Sequence, residues 1–97
     1  MTFIDWSDPE AMLGLLAEYV ADARNEPGTP TGRAASLGEL LHDLVPLTRS
    51  AGELSPDDAV DRLRHIHEAH AEDLAGDPVL LHVEACIEEL ERIRRER

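Results

Sequence analysis

The chain of 97 residues contains no lysine, one cysteine and only three aromatic residues, which are Phe3, Trp6 and Tyr19. A lone cysteine, Cys86, excludes an intramolecular disulfide, and its position among aliphatic residues of a helical pattern is typical of a reduced, unreactive thiol. Because aromatic residues are so few, a core has to be built from leucine, valine, isoleucine and alanine. Such a core favours packed helices.

Long apolar runs are also missing from the sequence. No run approaches the roughly 18 residues that a membrane-spanning helix needs. The first residues lack the basic, apolar and small-residue succession of a secretory signal peptide. The length suits one domain, residues 1–97, with one modest core. We therefore expect a soluble, cytoplasmic protein without a membrane partner.

Positive charge is scarce: the chain has 9 basic and 21 acidic residues, which gives a net charge of −12. A surface of this sign repels phosphates, so nucleic-acid binding is not expected, whereas a basic protein would be attracted over a long range. The simplest interpretation is that the charge keeps a small protein soluble. The arginines near the C-terminus complement the dipole of a last helix better than they form a nucleic-acid tail. These arginines are Arg92, Arg94, Arg95 and Arg97.

Capping and turn signals predict four helices and no strand. The predicted helices cover about 8–24, 34–45, 56–75 and 78–96. The first begins at a capping box, Ser7 to Glu10, and carries an apolar arc wide enough for two neighbours. Residues 25–32 contain two prolines and two glycines, so we predict a flexible loop there. Pro46 is expected to stop or kink the second helix near Leu44 or Val45.

The last two predicted helices are joined by a link of about two residues. Ser55 and Pro56 supply a helix start, and Gly76, Asp77 and Pro78 supply an end, an N-cap and a new first position. So short a link places the two helices antiparallel. The sequence therefore predicts an all-α fold, a four-helix bundle-like single domain with an antiparallel C-terminal helical hairpin.

This hairpin would bring a group of potential metal ligands together. Its register sets His67 and His70 opposite His82 and Cys86, at about the same depth from the turn. Three imidazoles and a thiolate are a donor set that suits tetrahedral zinc. The step from His82 to Cys86 resembles the His-x-x-x-Cys part of the zinc-binding anti-sigma motif, whose second cysteine is replaced by Glu89 here.

Two other interpretations of these residues are open. In the first, His67 and His70 are semi-buried and hydrogen-bonded, His82 is half exposed and Cys86 is only packed in the core. In the second, His70 is neutral in the core, and its protonation at about pH 6 adds a buried charge that loosens the third and fourth helices.

Catalytic motifs are absent from the sequence. His67 and His70 are one residue short of the metalloprotease spacing, and there is no glycine-rich phosphate loop or Gly-x-Ser-x-Gly elbow. A Cys86 nucleophile activated by His82 would be protonated and shielded within its apolar stripe. We therefore expect no enzyme.

The function that we predict is a small acidic helical protein–protein interaction module. It would act as a regulator or inhibitor that binds a basic partner, or it would associate with itself as a homodimer. The wide apolar face of the first helix and Leu81 are the candidate contacts. The alternative is a metal-binding bundle that uses His67, His70, His82 and Cys86. Apart from zinc in that alternative, no cofactor is expected.

Overall fold

The computed structural model describes residues 9–50 and 52–96, and α-helices account for most of them. The helices are α1 (Pro9–Asn25), α2 (Thr31–Ser50), α3 (Pro56–His70) and α4 (Pro78–Arg95). No strand occurs in these two ranges. The predicted all-α class and the four helices are confirmed. Ser7, the first residue of the predicted capping box, lies outside the described residues.

The helices pack as a bundle in which each has two neighbours. α1 packs against α2 and α4, and α3 packs against the same two helices from the other side. Three ion pairs show that α3 and α4 run in opposite directions, since the earliest residue of α3 pairs with the latest residue of α4. They join Asp57 to Arg94, Arg64 to Glu91 and His67 to Glu84. The predicted antiparallel C-terminal hairpin is therefore confirmed.

The core of the bundle is almost entirely aliphatic, as the shortage of aromatic residues predicts. All four helices contribute, and His70 is the only polar residue among the buried side chains of the described ranges. The buried hydrophobic residues are Met12, Leu13, Leu16, Val20, Leu37, Leu40, Leu44, Leu47, Ala59, Val60, Leu63, Leu74, Val79, Leu80, Val83, Ile87, Leu90 and Ile93. The wide apolar arc of α1 is explained by its contacts with both α2 and α4.

The predicted loop 25–32 is shorter in the structure, because only residues 26–30 lie between α1 and α2. Gly28 adopts φ of 86°, a left-handed conformation that glycine tolerates. The hydroxyl of Thr29 donates to the carbonyls of Glu26 and Ala23, at 2.8 and 3.2 Å. Pro30 directly precedes α2, where proline does no harm to a helix. The prediction was wrong in its bounds because helix-breaking residues also occur at helix ends.

The prediction that the second helix ends near residue 45 is wrong, since α2 continues through Pro46 to Ser50. Proline removes one backbone donor, but Pro46 is exposed, so water can hydrate the carbonyl left unpaired. Beyond it, Leu47 is buried in the core with 3% of its surface exposed. The hydroxyl of Thr48 donates to the carbonyl of Val45 at 2.7 Å. Burial of Leu47 in the core therefore stabilises the end of α2 by more than Pro46 destabilises it.

Replacement of Pro46 by alanine should stabilise the protein. A proline inside a helix costs about 3 kcal/mol, which is partly offset because proline also restricts the unfolded chain, so we expect a net gain of about 1 kcal/mol. Urea unfolding followed by circular dichroism measures it. A loss of stability in Pro46→Ala would show that α2 does not continue past this residue.

The third predicted helix is too long, because α3 ends at His70 and residues 71–76 form turns. Backbone bonds between residues three apart join Ala71 to Glu68 and Ala75 to Glu72. These bonds tighten the chain, while Leu74 remains buried. Gly76 adopts φ of 77° and ends the segment. The link between α3 and α4 therefore spans residues 71–77 rather than about two residues.

Candidate functional site

His67 lies on the side of α3 that faces α4. Its Nε2 is 3.0 Å from Oε1 of Glu84, and about a fifth of its side chain is exposed. Arg64 and Glu91 pair one turn away on the same seam. The sequence places His67 near His82 and Cys86, but the structure gives it a carboxylate neighbour instead.

His70 is buried, with 6% of its surface exposed. Its Nε2 lies 2.6 Å from Oδ2 of Asp43, so the imidazole is hydrogen-bonded to α2 rather than directed at α4. This hydrogen bond links α3 to α2, and the pH response of the hairpin stays a prediction from sequence.

His82 lies on the exposed surface of α4 and contacts α1. Its ring packs against Tyr19, with centroids 4.0 Å apart and planes tilted by 41°. Tyr19 is itself 36% exposed. This aromatic contact joins the two helices at the surface, and no second histidine takes part in it.

Cys86 is half-buried one turn after His82. It lines an open groove of about 510 Å³ on α4 together with His82, Ala85, Glu89 and Arg92. Burial, with a smaller contribution from the charge of Glu89, raises the pKa of the thiol from 9.0 to about 11. Because raising this pKa favours the neutral form, Cys86 is a protonated and weak nucleophile at neutral pH.

Alkylation of Cys86 should follow this shift. At about pH 8 we expect iodoacetamide to label the folded protein roughly tenfold more slowly than the urea-unfolded protein, because the folded thiol is more fully protonated. The rate in the folded state should then climb as the pH approaches 11. Equal rates in the two states at pH 8 would contradict a buried, protonated thiol. Mass spectrometry of quenched samples gives both rates.

The four potential metal ligands therefore have different neighbours. His67 pairs with a residue of α4, His70 with a residue of α2, and His82 with a residue of α1. Within residues 9–50 and 52–96, no group of three histidine, cysteine, aspartate or glutamate side chains is placed to hold a metal ion. Zinc would have to draw the imidazoles away from these contacts. The zinc site stays a prediction from sequence.

A bidentate ion pair joins the starts of α2 and α4. Arg33 donates from Nε to Oδ2 of Asp77 at 2.7 Å and from Nη2 to Oδ1 at 3.1 Å. Asp77 also caps α4 by accepting from the backbone N–H of Val79 at 3.0 Å, as the sequence predicts. The Arg33 guanidinium holds the pKa of the Asp77 carboxyl below its ordinary value. The sequence predicts the cap but not the arginine, which is distant in the chain.

The feature that sequence reasoning missed is a pair of open cavities along α2 and α3, which adjoin at the hydrogen bond between Asp43 and His70. One part, about 590 Å³, is lined by Asp43, Pro46, Leu47, Asp61, Arg62, His65, Ile66 and Ala69. The other part, about 490 Å³, is lined by Ala35, Gly38, Glu39, His42, Asp43 and His70. Asp43 belongs to both parts, and we call the whole the α2–α3 trough. Its position depends on which helices become neighbours, and local sequence does not contain that information.

Comparison of this chain with protein-family models, curated proteins and solved structures gives no match. None of the four described helices is both long enough and apolar enough to cross a bilayer. The functional argument therefore depends on the surface of the bundle itself.

Proposed function

We propose that this protein is an acidic helical interaction module that binds a basic segment of another protein and so regulates or restrains that protein. The proposal starts from a net charge of −12 on a chain of 97 residues. Such a charge speeds the encounter with a basic partner and disfavours nucleic acids. We also propose a cytoplasmic location, since a chain with one cysteine has no disulfide within it.

Part of the positive charge is paired within the chain, at the surface of the bundle. Four arginines bind carboxylates of the same chain and so tie helices or helix turns together. The pairs are Arg33 with Asp77, Arg64 with Glu91, Arg94 with Asp57, and Arg92 with both Glu89 and Glu96. Because these pairs neutralise carboxylates as well as arginines, the net negative charge of the surface is little changed by them.

The observation that carries the proposal is a set of exposed carboxylates without a cationic partner among the described residues. On α1 they include Glu18 and Asp22, and on α3 they include Asp58, Asp61 and Glu68. Like charges on the surface of one small domain repel one another. A basic partner relieves that repulsion, so negative potential at the surface favours association with positive charge.

A different protein fits this surface better than a second copy does. Two copies would each carry −12, and their repulsion opposes self-association at low salt. The large apolar side chains exposed in the described ranges are Tyr19 and Leu81, at 36% and 61%. Single exposed apolar residues are ordinary on a monomer. The charge therefore favours a basic partner over a homodimer.

A designed peptide pair tests the proposal. The probe is a helix-forming peptide of roughly 15 residues with leucine on one face and arginine on the other, and its control carries glutamate in place of arginine. We expect fluorescence anisotropy at low salt to show binding of the arginine peptide only. Sedimentation of the protein alone should show a monomer. Equal binding of both peptides, or of neither, would overturn the proposal.

A further inference from the structure

We infer that the α2–α3 trough is the docking site for a basic amphipathic helix of the partner protein. This inference rests on the proposed function and adds to it a location and the structural class of the occupant. The trough combines an apolar floor, an acidic rim and a length of several helical turns. Each of these properties is visible in the side chains that line it.

The floor of the trough is apolar. It contains Pro46 and Leu47 from α2 and Ile66 and Ala69 from α3. Leu47 is buried, Ile66 is partly buried, and both Pro46 and Ala69 are exposed. An amphipathic helix buries its apolar face against a groove of this kind, as in the common helix-in-groove mode of recognition. The floor therefore offers contact area that a purely electrostatic surface would lack.

The rim of the trough is acidic. Glu39 and Asp43 lie one turn apart on α2, and Asp61 of α3 lines the same part of the trough as Asp43. Arg62 is the only arginine among the lining residues. Within the described ranges, Glu39 and Asp61 have no cationic partner, whereas Asp43 is bound to His70. Arginines or lysines flanking an apolar face would meet Glu39 and Asp61.

The trough is long enough for a helix. Its lining residues on α2 extend from Ala35 to Leu47, which corresponds to about 18 Å of helix at 1.5 Å per residue. That length fits about three turns of an added helix. The residues between these limits belong to one continuous α-helix, so the floor and the acidic rim are held in a fixed relation.

The groove on α4 is a weaker candidate, because its charges are already balanced. Its one carboxylate, Glu89, accepts hydrogen bonds from Arg92, which lines the same groove. No negative charge is left there for a basic helix. The comparison of the two grooves provides a matched pair of variants, since Ala69 of the trough and Ala85 of the α4 groove are both exposed and both helical.

Ala69→Arg and Ala85→Arg test the location, with the leucine–arginine peptide as the probe. Both variants add the same side chain and the same charge. We expect Ala69→Arg to raise the Kd about tenfold, because it fills the floor and repels the peptide, and Ala85→Arg to change the Kd less than about twofold. Circular dichroism confirms that each variant is folded. Amide shifts in NMR spectra should move at Gly38 and Ile66 when the peptide binds.

Other outcomes separate this inference from the proposed function. If the peptide binds but the two arginine variants weaken it equally, the trough is not the site, although the proposed function survives. If the wild-type protein does not bind the peptide at low salt, the proposed function and the trough fail together. If the protein is a dimer that Ala69→Arg splits, the occupant is a second copy, which overturns the assignment to a basic helix.

Discussion

Replacement of Leu63 by alanine is expected to lower the free energy of unfolding by about 2–5 kcal/mol. Leu63 is completely buried and lies on α3, which packs against both α2 and α4. Alanine removes apolar contacts and leaves a cavity that the surrounding helices fill only in part. Urea unfolding, followed by circular dichroism at equilibrium, measures the change.

Leu81→Ala is the matched control, since it makes the same chemical change at a residue that is 61% exposed. We expect a loss of less than about 0.5 kcal/mol, because little apolar surface is returned to water. Similar losses in the two variants would show that Leu63 is not enclosed by the bundle. A larger loss of stability in Leu81→Ala than in Leu63→Ala would show that the face of α4 that carries Leu81 packs in the core.

Loss of the ion pair between Arg33 and Asp77 is expected to give the second large decrease in the free energy of unfolding. Asp77→Ala removes both the N-cap of α4 and the bond to α2, so we expect a loss of about 1–3 kcal/mol at neutral pH. Asp77→Asn keeps a side chain that can cap the helix and loses only the charge. It should therefore cost less, about 1 kcal/mol or below.

The pH dependence of this effect follows from the lowered pKa of Asp77. The hydrogen bonds from Arg33 favour the ionised carboxylate, so the stabilisation is complete above the ordinary pKa of 3.8 and is lost as the pH falls through the lower pKa of the folded state. The stability difference between the wild type and Asp77→Asn should shrink in acid. A difference that stays constant down to about pH 2 would contradict the ion pair.

Local signals in the sequence predict much of this fold because they act through neighbouring residues. Ser55 and Asp77 cap helices as expected, since each accepts a bond from a backbone N–H within three residues. The predicted end of α2 was wrong, because burial of Leu47 stabilises the helix beyond Pro46. Packing between distant segments decides such cases, and local sequence does not describe it.

The candidate metal ligands show the same difference between what local sequence predicts and what only packing decides. One interpretation of the sequence has His70 semi-buried and hydrogen-bonded, and the structure buries it with a hydrogen bond. Its partner, Asp43, is 27 residues earlier in the chain, and only the packing of α2 on α3 brings the two together. The zinc hypothesis assumed that His70 and His82 face each other. Instead, His70 contacts α2 and His82 contacts α1.

The central claim is that carboxylates without internal partners bind a basic helix, and a salt series with the leucine–arginine peptide tests it most directly. Between about 20 and about 300 mM salt we expect the affinity to fall at least tenfold, because screening weakens charge attraction. Glu39→Gln combined with Asp61→Asn should flatten that dependence. Glu26→Gln combined with Glu88→Gln removes as much charge away from the trough and should leave that dependence nearly unchanged. An affinity for the wild-type protein that does not vary with salt would contradict the claim.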